Sequence, residues 1–300
     1  MNRTLPYVNA YGTVDISNTN SVSEALELAE LNWNVESKKL YDEYGNELPR
    51  YKGNFRDTDG ELLGIVSDKY SIVQNIEAFS FVDSLVNEGF KFDSAGSFRN
   101  GRSIWVMGNL PQTSILGDVI SNNIVFVNSH DGSSGVKVMM TPIRLICSNM
   151  LNLALKRADR IWATRHIGNI NTKLEEAKYT LCLANKYTEE LSIEAERLVN
   201  IKISDAEIEA LFDSLFPIDR NKDSERKINN LTLMKNNFIQ CYNAEDIKQF
   251  KNTAYGAINA FADFVDHKDP NRITNNYYEN SWYRLINGDH NLDRFYKALM

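Results

Sequence analysis

No stretch of this 300-residue chain approaches the roughly 20 consecutive apolar residues that a membrane-crossing helix needs, so no helical span is expected. The N-terminus, MNRTLPYVNAYGTVD, lacks a basic start followed by an apolar core, and no signal peptide is expected. Cysteine is scarce: Cys147, Cys182 and Cys241 lie far apart and form no CxxC pair. They read as reduced thiols of a cytoplasmic protein, not as a structural zinc site. Histidine is nearly as scarce, with four in the chain, which leaves little imidazole for a metal centre. The phosphate-binding signature GxxxxGK followed by Ser or Thr is absent, as are GxGxxG and the GxSxG nucleophile elbow. No repeat with a period of 20–50 residues and no low-complexity segment occurs.

The net charge of −7 argues against a general nucleic-acid binder, but the charge is unevenly spread. Residues 1–120 carry net −7, residues 121–173 net +5, and residues 174–300 net −5. The middle block holds Lys137, Arg144, Lys156, Arg157, Arg160, Arg165 and Lys173 against only Asp131 and Asp159. Local field, not net charge, attracts a phosphate backbone. The bland alternative is clustering that acidic neighbours neutralise in the fold.

Several segments announce their secondary structure. Ser21 to Glu24 is a capping box, predicting a helix over 22–31. Residues 34–41 read as extended, and Tyr44-Gly45-Asn46 and Asp59-Gly60 as turns of small hairpins over 34–66. The strand entered at Leu63 is expected to run toward Val73, and Asn75 to cap a helix over 76–88 with Phe79, Val82 and Val86 on one face. Asn100-Gly101 predicts a two-residue hairpin turn between strands 90–98 and 102–110, followed by a loop over 111–118. A second hairpin pairs 123–129 with 136–143. A helix with a basic face (Lys156, Arg160) is expected over 150–163, capped by Ser148 or Asn149. Apolar and small residues from Leu174 to Leu198 alternate at spacings of three and four, predicting a helix over 171–199 that is about 40 Å long and packs within a helical hairpin. Ser204 to Glu207 is a capping box for a helix ending at Phe216 before Pro217. Helices follow near 223–242 and 245–267, and one short helix closes the chain over 282–300. The expected class is α+β: a β-hairpin-rich N-terminal half with packed helices, then an all-helical C-terminal half. The expected divisions are 1–60, 61–173 with the basic block, and 174–300.

The hairpin turn VNSHDGSSGVKV, residues 127–138, attracts attention because Ser129, His130 and Asp131 are consecutive. Neighbours in a strand point to opposite faces, so adjacency does not make a catalytic triad. Asp131-Gly132 and Gly135 are turn chemistry. A phosphate cradle is a second reading, because successive N–H groups and the Ser133 and Ser134 hydroxyls could face one anion. No catalytic residue, cofactor or metal ligand is assigned. A mixed site of His130, Asp131, Asp263 and His267 requires distant segments to meet, and the charges near His267 otherwise read as a solvated helix end. Phe98, Trp105, Phe126 and Trp162 could stack on bases, although such rings are more often core.

Four segments carry a resemblance: LLGIVSDKYSIVQNIEAFSFVDSLVNEG (62–89), VNSHDGSSGVKVMMTPIRLICSNMLNLAL (127–155), NTAYGAINAFADFVDH (252–267) and LNWNVE (31–36). They resemble the phage- and plasmid-borne family catalogued as domain of unknown function 932, over nearly the whole chain. The resemblance implies a protein of mobile elements working in the bacterial cytoplasm and implies no activity. The order of helix, paired hairpins and basic helix is also similar to the core of phage single-strand annealing proteins, an analogy of architecture alone.

The resulting expectation is a non-enzymatic, homo-oligomeric protein that binds or anneals single-stranded DNA. Lys137, Arg144, Lys156, Arg157, Arg160 and Arg165 would contact phosphates. Ser129, His130, Asp131, Gly132, Ser133 and Ser134 would lie at the groove or at a subunit contact. The alternative is a counter-defence protein whose acidic parts block a host immune complex. The third reading is a metal-dependent nuclease. No reading involves a membrane.

Overall fold

The computed structural model describes residues 13–86, 89–144, 149–150, 161–166, 180–267, 273–274, 276–286 and 291–300. The class is mixed α+β, with strands in two sheets in the N-terminal half and mostly helices in the C-terminal half.

The larger sheet has the order β1-β5-β6-β7-β8-β10, with β9 also paired to β8. Its strands are β1 (Val14–Asp15), β5 (Lys91–Phe98), β6 (Ser103–Ile115), β7 (Asp118–Ser129), β8 (Val136–Arg144), β9 (Asn149–Met150) and β10 (Ile161–Thr164). All pairings are antiparallel. Alternation sorts the side chains into two cores. Ile104, Val106, Ile124, Phe126, Val136, Val138 and Met140 face one side and pack with α1 (Val22–Leu28), α2 (Asn75–Phe79) and α3 (Asp83–Val86). Trp105, Met107, Val125, Val127 and Met139 face the other and are covered by Trp282. Burial on both faces explains why these strands read as continuous apolar runs.

The smaller sheet is a meander of β2 (Val35–Tyr41), β3 (Glu47–Arg56) and β4 (Leu62–Ser67). A register shift between Asn54 and Phe55 puts a bulge in β4. It turns Leu63 inward to full burial while Leu62 and Ile65 stay outward.

The helices α4 (Thr180–Asn200), α5 (Asp205–Leu215), α6 (Glu225–Tyr242), α7 (Ala254–His267) and α9 (Asn291–Leu299) share a third core. Ile115 and Ile120 of the large sheet join it. The α4 seam closes on this core through Leu191, Ala195 and Leu198, as an intramolecular packing. Residue Trp282 of α8 (Tyr277–Ile286) covers the sheet.

Several expected elements differ. Asn75 does not cap α2: Gln74 is the N-cap, its backbone N–H donating to Glu77 Oε2 at 3.0 Å, and Asn75 is buried for another purpose. The strand begun at Leu62 stops at Ser67, and the 76–88 helix is broken by a 3-10 turn over Ser80–Val82. The β5–β6 loop is four residues, with Arg99, Asn100 and Gly101 all at positive φ, where a two-residue turn was expected. The expected loop over 111–118 is strand pairing around a tight turn at Leu116-Gly117, again both at positive φ, with Ile115 opposite Asp118. The expected basic helix over 150–163 is overturned at both ends. Asn149–Met150 and Ile161–Thr164 are strands on β8, because the β-branched and aromatic residues of 161–164 complete an otherwise open sheet edge. Residues 151–160, with Lys156, Arg157 and Arg160, lie outside the described residues. The 245–267 helix is interrupted at Asn252, which has positive φ, and the closing segment forms two helices, not one.

Candidate functional site

The loop that joins β7 to β8 is seated under the inner face of the meander. A β-carbon on Gly64 would stand 2.4 Å from the Asp131 α-carbon, so the two backbones touch. Asn54 of β3 donates its side-chain N–H to the His130 carbonyl at 2.8 Å. The Tyr70 hydroxyl donates to the Ser129 carbonyl at 2.6 Å. The backbone amide of His130 donates to the Arg102 carbonyl at 2.8 Å.

The three consecutive residues do not form a triad. The Ser129 hydroxyl donates to Asp131 Oδ1 at 2.7 Å, and the Ser133 amide donates to the same oxygen at 2.9 Å. The His130 ring turns the other way, with Nε2 2.8 Å from Asn75 Oδ1. Among the described residues the serine therefore meets no histidine base, and the three neighbours are not arranged for acyl transfer. Of the donors that could cradle a phosphate, the Ser133 amide faces the Asp131 carboxylate and the Ser134 hydroxyl donates to the Gly135 carbonyl at 3.2 Å. Burial alone would raise the Asp131 pKa, but the Ser133 and Ser129 hydrogen bonds and the charge of Arg99 hold it below the usual carboxylate value.

Beneath the loop lies a buried polar cluster. His130 is 0% exposed and His166 is 2% exposed. Each ring has one nitrogen tied to an oxygen acceptor: His130 Nε2 to Asn75, and His166 Nδ1 to the Ser71 carbonyl at 3.2 Å. Asn75 spends its N–H groups on the Leu31 and Trp33 carbonyls, so its oxygen is the atom that meets His130. In the neutral rings this leaves His130 Nδ1 and His166 Nε2 as buried lone pairs, neither with a hydrogen-bond partner among the described residues. Tyr70 stacks on His166 at 4.8 Å, and Trp33 meets His130 edge-on at 5.3 Å. Burial pushes the His130 pKa down to about 3, helped by repulsion from His166 and opposed by Asp131. Burial likewise lowers His166 to about 4, against its bond to Ser71. Tyr70 is pushed up by burial and then by the Asp131 charge.

Asn75 therefore joins the loop, the 31–33 segment and Asn128, whose N–H reaches the Val73 carbonyl at 3.0 Å. Replacing Asn75 by Ala leaves two buried carbonyls and a histidine N–H unpartnered, and is expected to cost about 2–4 kcal/mol in urea unfolding at neutral pH. An unchanged midpoint would show that the cluster is not the joint it is described to be.

Of the six basic residues predicted to bind phosphate, the structure brings two together. Lys137 on β8 pairs with Ala163 on β10, and Arg165, exposed, follows Thr164 beside Gly135. Arg144 lies at the far end of β8, opposite Ile120 and Asn149, about 23 Å along the strand from Lys137. Phe98, Trp105 and Phe126 are buried core residues and not stacking platforms. Asp263 and Asp266 are buried on α7, at 3% and 9% exposure, so the solvated helix end is corrected. The His267 side chain lies outside the described residues. Among the described residues no group of three or more His, Cys, Asp and Glu side chains could hold a metal. No described helix is long and apolar enough to cross a membrane. Sequence reasoning missed Tyr70, Asn54, Asn128 and His166. The only signal was a polar residue closing an apolar run, as in IVFVN and IWATRH.

A family model described as Domain of unknown function (DUF932) matches residues 62–298. The LNWNVE stretch lies outside that span. No curated protein matches, and no solved structure matches.

Proposed function

We propose that this chain, which belongs to the DUF932 family, is a non-enzymatic protein of a phage or related mobile element that binds single-stranded nucleic acid. The observation that carries the reading is the exposed Arg165, one residue beyond the end of β10 and near Lys137 on β8, at the rim of a loop hydrogen-bonded from below by Asn54 and Tyr70. A charged rim on a preformed backbone attracts phosphate without the cost of ordering the loop. The rim sits in the block of net +5, and Lys156, Arg157 and Arg160 add to it by sequence. Work in the cytoplasm of a bacterial host, in an oligomer, belongs to the same proposal. The competing reading, a counter-defence protein that blocks a host immune complex, is supported by the acidic charge on both flanks of that block.

Fluorescence anisotropy of the full chain with a labelled single-stranded oligonucleotide, at low and high salt and with a duplex control, tests the reading. Salt-sensitive preference for the single strand is expected. Arg165→Glu should weaken binding at least about tenfold and reduce the salt slope by about one. No binding at low salt would sink the proposal and favour the competing one.

A further inference from the structure

Two arginines outside the basic block flank the 130–135 loop on the side away from Arg165. Arg99 and Arg102 sit around the Asn100-Gly101 turn, in the part of the chain that carries net −7. The fold nevertheless brings them to the same edge as Arg165. Phe98 lies opposite Ser103, Ser103 opposite Ser129, and Val136 opposite Thr164. The turn at 99–102, the loop at 130–135 and Arg165 therefore leave the large sheet at one end, where β5, β6, β7, β8 and β10 stand side by side. From β5 to β10 is four strand intervals of about 4.8 Å, a row roughly 19 Å long.

Backbone contacts seat both ends of the row on the loop. The His130 amide donates to the Arg102 carbonyl at 2.8 Å, and a β-carbon on Gly135 would stand 3.1 Å from the Arg165 α-carbon. The Arg99 amide donates to Glu279 of α8, and its guanidinium lies over the Tyr283 ring at 4.2 Å. The Arg99 charge also reaches Asp131 on the loop. Arg99, Arg102 and Arg165 are exposed, and so are Gly132 and Ser133 at the loop tip between them. Other cations nearby are engaged: Arg56 is held by Asp59, and Lys52 by the Tyr70 carbonyl at 2.6 Å. The three arginines form no ion pair among the described residues. Counting Lys137 and Glu279, four cations stand against two carboxylates along this edge, a net of +2. One of those carboxylates, Asp131, is already bound by Ser129 and Ser133. Like charges set along one edge repel, and an anion laid across them relieves the repulsion.

We infer that Arg99, Arg102 and Arg165 form one phosphate track across the end of the large sheet, along which a single strand runs over the loop tip and crosswise to the β-strands. The inference rests on the nucleic-acid reading above, and it gives that site a length, a direction and two further residues. At 3.4 Å per phosphate, about six phosphates span the row, and fewer when the strand is extended. Contacts to phosphate carry no base information, so binding along the track is expected to be indifferent to sequence.

Fluorescence anisotropy of the full chain over a salt series, with a labelled oligothymidylate of about eight nucleotides that is long enough for the row, tests the inference. Arg99→Gln with Arg102→Gln removes one end of the track, and Arg165→Gln the other. Each is expected to weaken binding at least about fivefold, and to lower the salt slope by about two and about one respectively. Arg99→Lys with Arg102→Lys should keep the wild-type slope, because lysine still offers its charge to a phosphate. A purely structural role for the two arginines would not be rescued by lysine, and an unchanged thermal transition confirms the fold of each variant. Weakened binding by Arg165→Gln, with the double glutamine variant binding like the wild type, overturns the track and leaves the nucleic-acid reading standing. Displacement of the label by poly-glutamate as readily as by unlabelled oligonucleotide also overturns it, because the row would then accept any acidic chain. A wild type that does not bind at low salt removes the nucleic-acid reading, and the track with it.

Discussion

The stability of this protein should fall by on the order of 6 kcal/mol between pH 7 and pH 4 through two histidines alone. In the folded chain the His130 pKa lies at about 3 and that of His166 at about 4, against about 6.5 in an unfolded chain. The unfolded state therefore binds more protons, and the contribution is fully present above about pH 6.5 and is lost as pH falls toward the folded values. The Asp131 carboxyl, held low by Ser133, Ser129 and Arg99, adds to the loss only below the usual carboxylate range. A decrement of this size rivals the whole stability of a typical domain, about 5–15 kcal/mol. The two protonations are also coupled, since a charge on His166 disfavours one on His130. Urea unfolding at pH 7, 5.5 and 4.5 reads the effect directly. His130→Gln keeps an N–H for Asn75 and removes the titration, so its midpoint should depend on pH about half as steeply, as should that of His166→Gln. A wild-type midpoint that stays level down to pH 4.5 would mean that the rings are hydrated.

Much of the architecture was legible because local chemistry and tertiary context agreed. Ser21 and Ser204 cap the helices that their motifs announce, and the strands flanking Asn100-Gly101 and the 129–135 loop pair as expected. Legibility failed where long-range pairing outweighed local pattern. The 150–163 segment has a helical stripe of Met150, Ala154, Ala158 and Ile161, yet Ile161–Thr164 completes the edge of β8. An open edge next to a buried hairpin is visible only once the sheet is assembled. The Leu116-Gly117 turn hid because leucine seldom takes positive φ, and the 13- and 12-residue strands on either side hold it there.

The site was half legible. The stretch from Ser129 to Ser134 was marked from its residue types, and the structure makes it the element on which the meander is seated. Its partners could not be read from sequence, because Asn54, Tyr70, Asn75 and His166 stand 36 to 76 residues away and meet it only through the sheet. Asn75 illustrates the difficulty best. At a helix start, asparagine signals a cap, but Gln74 takes that role and frees the Asn75 amide to hold His130. The basic residues were chosen by sequence proximity, which gathers Lys137 and Arg165 across two strands but sends Arg144 to the opposite end.

The second large effect is steric. Gly64→Ala should cost about 3 kcal/mol or more, because its β-carbon would fall 2.4 Å from the Asp131 α-carbon and 3.1 Å from the Asp131 carbonyl carbon. Both are backbone atoms, so no rotamer change relieves the clash, and the meander must lift from the loop. Gly45→Ala is the control: it has positive φ but open space, so only the backbone penalty of about 1 kcal/mol applies. Size alone does not distinguish a clash at the loop from general damage to the sheet, but pH dependence does. Lifting the meander loosens the bond from Asn54 to the His130 carbonyl and admits water to the rings, which moves their pKa values back toward 6.5. Gly64→Ala should therefore be less stable than the wild type at pH 7 and yet lose less on acidification, so that the two stability curves converge near pH 4. Gly45→Ala, distant from the cluster, should run parallel to the wild type throughout. Parallel curves for Gly64→Ala as well would show that the meander does not seal the histidine pair, and the acid sensitivity would then have to arise elsewhere in the fold.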